Sequence, residues 1–383
     1  MDRYNLRNGI VAKEVLRDLD YGFVHGVSSN EWEESLFTVT TDRGIRYARS
    51  VVLAVGPGNE PRIPDVPGMA TAAATAGKGP GNGKREQPQT FPQTCHSMKI
   101  KAFPDPIIKD RIGKERETNV LVIGGGLTAA QLADLAIQRG VTRVWLLTRS
   151  ALRVKHFDID LSWMGKFRNS EQARFWLADS DDERLAMLRD ARGGGSITPE
   201  FYRRVKVRVA EGRLVLRERT MLAEARFEEN AVPGSGGVWL VTTDPPTLPS
   251  EEMPPMDYIY FATGVQTNFS TLPYLQTMVK RNPIQGFGGF PSLNDDLMWK
   301  DDVPLFVTGR LAALRLGPAA PNLGGARLGA ERISWAIEEV VAKSRRRGGS
   351  LQLQDEENDE ELNYLAGRGS KYSSLYSYSK DAE

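Results

Sequence analysis

NVLVIGGGLTAAQLADLAIQRGVTRVWLLTRS, residues 119–150, decides how the rest of the chain is read. Val120, Leu121, Val122 and Ile123 are four apolar residues in a row, which predicts a strand buried on both faces. A glycine turn follows, then a helix over Thr128–Arg139 and a second strand over Arg143–Leu147. Gly124, Gly126 and Ala129 fit G-x-G-x-x-A. The first glycine permits a tight turn. The second lets backbone approach a pyrophosphate, and Ala129 lets the helix pack closely on its strand. A helix starting at Leu127 and Thr128 points free N–H groups and the positive end of its dipole at a phosphate. Alone the spacing is weak, and a glycine turn that only packs is the other reading. The strand before it and the helix and strand after it favour a dinucleotide site.

The end of the second strand bears on which dinucleotide. A site for NAD usually places Asp or Glu there to meet the ribose 2′-hydroxyl. This chain has Leu147-Thr148-Arg149-Ser150, with Arg153 and Lys155 just beyond. No carboxylate is present to repel a 2′-phosphate, and Arg149 is placed to pair with one. That favours NADPH over NADH. Arg149 as a solvated surface charge remains the alternative.

The totals set bounds. The chain has 383 residues, room for about two domains of ~150 residues each. A net charge of +1 with 26% charged residues gives no case for nucleic acid or an anionic membrane. One cysteine, Cys95, excludes an internal disulfide. With only His25, His96 and His156 beside it, a Cys/His metal site is not expected. No apolar run approaches the ~18 residues a membrane span needs, and MDRYNLRNGI lacks the apolar region of a signal peptide. The expectation is a soluble, cytoplasmic protein.

Outside the glycine unit, several segments read as strands. Phe37–Thr41 alternates, turns at Asp42–Gly44 and leads to a second strand. Val51–Val55 reads as a buried apolar run ending in Gly56-Pro57-Gly58. Residues 70–94 are small and polar and read as a surface insertion. Residues 151–198 read as partly helical, ending in Gly193-Gly194-Gly195. VKVRVAEGRLVLRERT, residues 205–220, reads as a hairpin turning at Glu211-Gly212. VWLVTT (238–243), DYIYFATG (257–264) and PLFVTG (304–309) read as strands, and a helix is expected from about Leu323 to Lys343. Residues 344–383 lack the apolar content to fold alone.

LAVGPGNEPRIPDVPG (53–68) and DYIYFATG (257–264) are each a buried strand ending in small residues, where backbone passes close to a cofactor. With CHSMKI (95–100), VLVIGGGLTAAQ (120–131) and LFVTGRLAALRLGPAAPNLGGARLGAERI (305–333), they complete a resemblance. The chain is similar to the two-dinucleotide flavoprotein monooxygenases, including flavin-containing monooxygenases and the ornithine or lysine N-hydroxylases. The resemblance covers about residues 35–340. It implies an α/β fold of two Rossmann-like nucleotide-binding domains. Residues 1–115 and 265–343 would be the discontinuous flavin domain, and residues 116–264 the NADPH domain inserted in it. It gives Gly56, Gly264, Gly309, Leu316, Gly317, Pro318 and Asn322 roles beside FAD, and implies that NADPH reduces FAD before molecular oxygen reacts with a small-molecule substrate. Val265 stands where N-hydroxylases commonly carry Tyr. His96-Ser97 matches a pair in the family, and a hydrogen-bonded loop histidine is the plainer reading. His25 and His156 read as surface residues.

The family also opens with its own strand, glycine turn and helix for the ADP half of FAD, and no such segment stands before residue 50; GVSSNE at 26–31 is not one. Two functions follow. One is an FAD- and NADPH-dependent oxidoreductase of the monooxygenase type, N-hydroxylating an amine or amino acid such as ornithine. The other is a truncated or degenerate NADP(H)-binding relative without catalysis. A flavin sheet lacking that first unit should expose an edge and apolar faces. No triad or acid–base pair is required and none is seen. Trp163, Phe167 and Trp176 read as core of the inserted helices, Asp158 and Asp160 as solvated. Self-association is left open.

Overall fold

The computed structural model describes residues 15–24, 35–56, 60–69, 91–230, 236–246 and 253–347. His25, the 26–31 segment, Pro57-Gly58, residues 70–90 of the expected insertion and the tail from residue 348 lie outside them. The chain forms two compact units and crosses between them repeatedly. One comprises Glu60–Met164 and Ala191–Gln266. The other comprises Met1–Asn59, Gly165–Asp190 and Thr267–Glu383.

The first of these is built on a five-stranded parallel sheet. Its strands are β6 (Thr94–His96), β7 (Asn119–Ile123), β8 (Arg143–Thr148), β9 (Leu214–Glu218) and β12 (Tyr258–Phe261), in the order β6-β12-β7-β8-β9. Alternation puts Val120, Val122, Val144, Leu146, Tyr258 and Tyr260 on one face. There they meet helices α1 (Pro106–Gly113), α2 (Leu127–Gln138) and α5 (Pro199–Ala210). Leu121, Trp145, Leu147, Ile259 and Phe261 face the other way. They are covered by the antiparallel pair β10 (Met221–Glu229) and β11 (Gly237–Asp244), which brings Ala225 and Trp239. Both faces are buried, so β7 has no polar position except at its start. Each fully buried aliphatic side chain contributes roughly 1.5–3 kcal/mol.

Residues 205–220 do not form the expected hairpin. Val205 to Ala210 end α5, and β9 then runs parallel to β8. Thr198 caps the helix through Phe201 N–H and Pro199 supplies its first turn. Those start signals, with Val205 buried in the core, outweigh the V-x-V-x-V alternation. Glu211-Gly212 ends a helix, with Gly212 at φ +69°. The short β5 (Glu60–Pro61) and β13 (Val265–Gln266) pair antiparallel where the chain enters and leaves this unit.

The other unit holds two three-stranded sheets. β1 (Leu16–Phe23), β2 (Ser35–Thr41) and β3 (Gly44–Ala48) form an antiparallel meander; its β2–β3 hairpin is the strand, turn and strand expected from Phe37–Thr41 and Asp42–Gly44, and β1 is an addition to that reading. β16 (Met298–Lys300), β17 (Val303–Val307) and β4 (Val51–Leu53) form the second, with β4 parallel to β17. Here the buried run expected at Val51–Val55 is corrected. Only Leu53 is buried, and Val52 is 45% exposed, because β4 has β17 as its single partner among the described residues. Among the described residues this unit also has helices α3 (Arg168–Trp176), α4 (Asp181–Arg192), α6 (Gln276–Arg281), α7 (Ala313–Leu316) and α8 (Leu323–Arg347), and the ribbon of β14 (Gly286–Phe287) and β15 (Phe290–Pro291). α8 begins where the sequence places it and continues past Lys343 to Arg347, so the arginine run belongs to the helix. Trp163 is buried. Phe167 and Trp176 are exposed rather than core, and the Trp176 indole N–H donates to the Arg315 carbonyl at 3.1 Å.

Candidate dinucleotide site and a second groove

The glycine turn sits where the strand order of the parallel sheet reverses. From β7 the chain passes through α2 to β8 on one side, while β12 lies on the other. In such sheets ligands bind beyond the carboxyl ends of the strands at this point. Gly124 has φ +149°, and a Cβ on it would overlap the Ala262 carbonyl oxygen, so no other residue fits. Ala129 is buried against the strand. Gly126 is the N-cap of α2, and no side chain caps the helix. The first N–H groups of the helix, on Leu127 and Thr128, have no intrahelical acceptor. An uncapped helix start beside a bare backbone turn suits a phosphate.

Arg149 is exposed at the carboxyl end of β8 and has no hydrogen bond or ion pair among the described residues. Its neighbours are engaged. The Arg153 guanidinium donates to the Gly193 carbonyl, and Lys155 Nζ donates to the Arg192 carbonyl at 3.1 Å. Asp158 pairs with Arg192 at 3.4 Å. Asp160, read as merely solvated, accepts from Ser162 N–H at 2.9 Å and caps a short helical turn; that hydrogen bond holds its carboxyl below the usual range. Glu218, beside Thr148 on β9, is the nearest strand-end carboxylate in register, and it accepts from Leu152 N–H at 2.7 Å.

His96 is buried at the end of β6. Its Nε2 donates to the Gly264 carbonyl at 2.9 Å, while Nδ1 accepts from Met98 N–H at 3.3 Å. Burial pushes its pKa down; the Gly264 carbonyl opposes this and the Lys99 charge adds to it. The Gly264 carbonyl also accepts from Arg62 N–H at 3.1 Å. His96 is thus the hydrogen-bonded histidine of the plainer reading, fastening the strands at which the chain enters and leaves this unit. His156 is exposed. Among the described residues no cluster of His, Cys, Asp and Glu could hold a metal ion, and no helix is long and apolar enough to cross a membrane.

The other unit contains a groove of about 720 Å³ between the ends of β4 and β17 and the first turns of α8. Val52, Gly56, Thr308, Gly309, Asn322, Ala326 and Ile333 line it. Gly56 and Gly309 have φ +65° and +73°, with open space where a Cβ would stand. Asn322 Oδ1 accepts from Gly325 N–H at 3.2 Å and so caps α8. Thr308 Oγ1 is buried and has no hydrogen-bond partner. The structure therefore brings Gly56, Gly309 and Asn322 together. Leu316, Gly317 and Pro318, between Gly309 and Asn322 in the chain, are buried and do not line the groove; Gly317, at φ +79°, ends α7. The sequence signal for Thr308 is its place just after β17 and before Gly309, the same Thr-Gly pair that follows β12 at Thr263-Gly264.

No family model and no curated protein matches the sequence. Solved structures do match. The ornithine N-hydroxylase of Kutzneria sp. 744, in a complex with reduced FAD, NADP+ and L-ornithine, is 18% identical at a TM-score of 0.58, over 85% of this chain and 71% of that one. The ornithine hydroxylase of Pseudomonas aeruginosa is 17% identical at 0.56, over 86% and 71%. The L-lysine 6-monooxygenase of Pseudomonas syringae is 18% identical at 0.54, over 86% and 71%. At these identities the shared property is the backbone architecture. The chain has the α/β, Rossmann-like fold of the N-hydroxylating ornithine and lysine monooxygenases.

Proposed function

We propose that this chain is an FAD- and NADPH-dependent oxidoreductase of the monooxygenase type, acting on a small amine or amino acid such as ornithine. The observation that carries it is the uncapped glycine turn at the reversal point of the parallel sheet, with Arg149 unopposed at the end of β8. The turn and the start of α2 would hold the pyrophosphate of NADPH, and Arg149 would pair with its 2′-phosphate.

In the groove, the orphaned Thr308 hydroxyl and the bare backbone at Gly56 and Gly309 suit a flat, polar-edged ring. The α8 start, capped by Asn322, would place a positive dipole end beside it and favour negative charge. These residues fit the flavin half of FAD. Among the described residues, none forms a second glycine turn for the ADP half. When bound, FAD would accept hydride from NADPH and, once reduced, activate molecular oxygen. The residues would position the two cofactors and exclude water. The domain reading that goes with this gives residues 116–264 to NADPH and the flanking segments to FAD, with two changes that follow the compact units: residues 60–115, β6 among them, go to the NADPH side and residues 165–190 to the FAD side.

The first experiment is the visible spectrum of the purified chain with FAD, then with NADPH. Bound flavin bands that bleach on NADPH support the oxidoreductase. A colourless protein that still binds NADPH supports the non-catalytic NADP(H)-binding alternative.

A further inference from the structure

Along the sequence, Gly193-Gly194-Gly195 only connects α4 to α5. In space it is a strap laid against the glycine turn. A Cβ on Gly195 would stand 3.2 Å from the Gly126 nitrogen and 3.3 Å from the Gly125 carbonyl carbon and oxygen. Gly195 is not in the left-handed region, so a side chain there is opposed by the turn itself rather than by backbone strain.

The strap is also held. Ile197 N–H donates to the Arg153 carbonyl at 2.8 Å, and Lys155 N–H donates to the Ile197 carbonyl at 2.9 Å. Lys155 Nζ and the Arg153 guanidinium add their bonds to the Arg192 and Gly193 carbonyls. Two side-chain-free backbones thus meet at the start of α2, with the Gly126 N–H at their junction. A phosphate oxygen must come within about 2.7–3.2 Å of such an N–H. A methyl group at Gly195 would fill part of that space or push the turn aside.

We propose that the strap is the second wall of the pyrophosphate site and that Gly195 sets its width. Arg153 and Lys155 are then positioning residues that act through the strap. The proposal rests on the dinucleotide reading and goes beyond it, because no part of the G-x-G-x-x-A motif contains Gly195.

The test titrates the full chain with NADP+ and, separately, with adenosine 2′-monophosphate, which keeps the adenosine and 2′-phosphate and lacks the pyrophosphate. Gly195→Ala is expected to weaken NADP+ at least tenfold while leaving adenosine 2′-monophosphate and the melting curve unchanged. A variant that binds NADP+ within twofold of the wild type overturns the proposal, as does an equal loss of both ligands. Should the variant not fold, amide exchange of the wild type decides. Slowing at Gly194–Ser196 by NADP+ and not by adenosine 2′-monophosphate supports the strap, and no slowing overturns it. A wild-type chain that binds neither ligand shows a different failure, that of the dinucleotide reading itself.

Discussion

Gly124 and Ala262 touch backbone to backbone. A Cβ on Gly124 would lie 2.8 Å from the Ala262 carbonyl carbon and closer still to its oxygen. The motif glycine is thereby tied to the end of the neighbouring parallel strand, and φ +149° adds a second exclusion. Gly124→Ala is expected to cost about 1–3 kcal/mol in urea unfolding and to weaken NADP+ binding. A variant with wild-type stability and affinity would show that the turn is not held against β12.

His96 gives a pH signature. Its pKa is lowered in the folded chain from an ordinary 6.5, so the unfolded chain binds more protons below that pH. The stability it contributes is complete above about pH 6.5 and is lost as pH falls toward the lowered value. The urea midpoint should decline from pH 7.5 to 5.5. In His96→Gln, whose amide can still donate to Gly264 and accept from Met98, the decline should be shallower. Identical slopes would remove His96 as the source.

Thr308 separates folding from binding. Its hydroxyl is buried without a partner, so Thr308→Val should melt no lower than the wild type. If that hydroxyl meets a flavin, the same variant should hold FAD about tenfold more weakly, the worth of one hydrogen bond. Unchanged FAD affinity would leave the groove without a polar contact at this position.

Asp181 is the anchor of a buried ionic cluster. Burial pushes its carboxyl up, but hydrogen bonds from Arg315, Ser292 and Arg184 together hold it below the usual range. Arg315 Nη1 stands 2.5 Å away and Arg184 Nη1 2.9 Å. The stability gained is present above about pH 4 and lost as pH falls through the lowered pKa. Arg315→Met should cost about 3 kcal/mol, because it leaves a buried carboxylate half paired. Adding Asp181→Asn should restore part of the loss. No restoration would mean that Arg315 acts by packing alone.

What the sequence disclosed and what it hid divide by range. The glycine unit is legible because strand, turn, helix and strand are contiguous, and each residue type answers a local demand. The 205–210 stretch misleads because V-x-V-x-V satisfies a strand's period, while the helix is decided seven residues earlier by Thr198 and Pro199 and by packing on the sheet. The exposure of Val52 depends on which strand lies beside β4, and no local pattern states that. Gly195 approaches Gly126 from nearly seventy residues away, and Asp181 meets Arg315 across a still longer separation, so neither leaves a periodic trace.

The pairing of β4 with β17 has a consequence for synthesis. Val51 and Leu305 stand opposite each other in the β4–β17 register, about 250 positions apart, and such pairings close late. On the ribosome, the parallel sheet of β6 to β9 and β12 can be complete while β4, already long emerged, still waits for its partner. During that interval an unpaired edge bearing Val51 and Val52 is exposed to every other nascent chain. Yield in the cell should therefore depend on elongation between residues 60 and 307 more than on the stability of the finished fold.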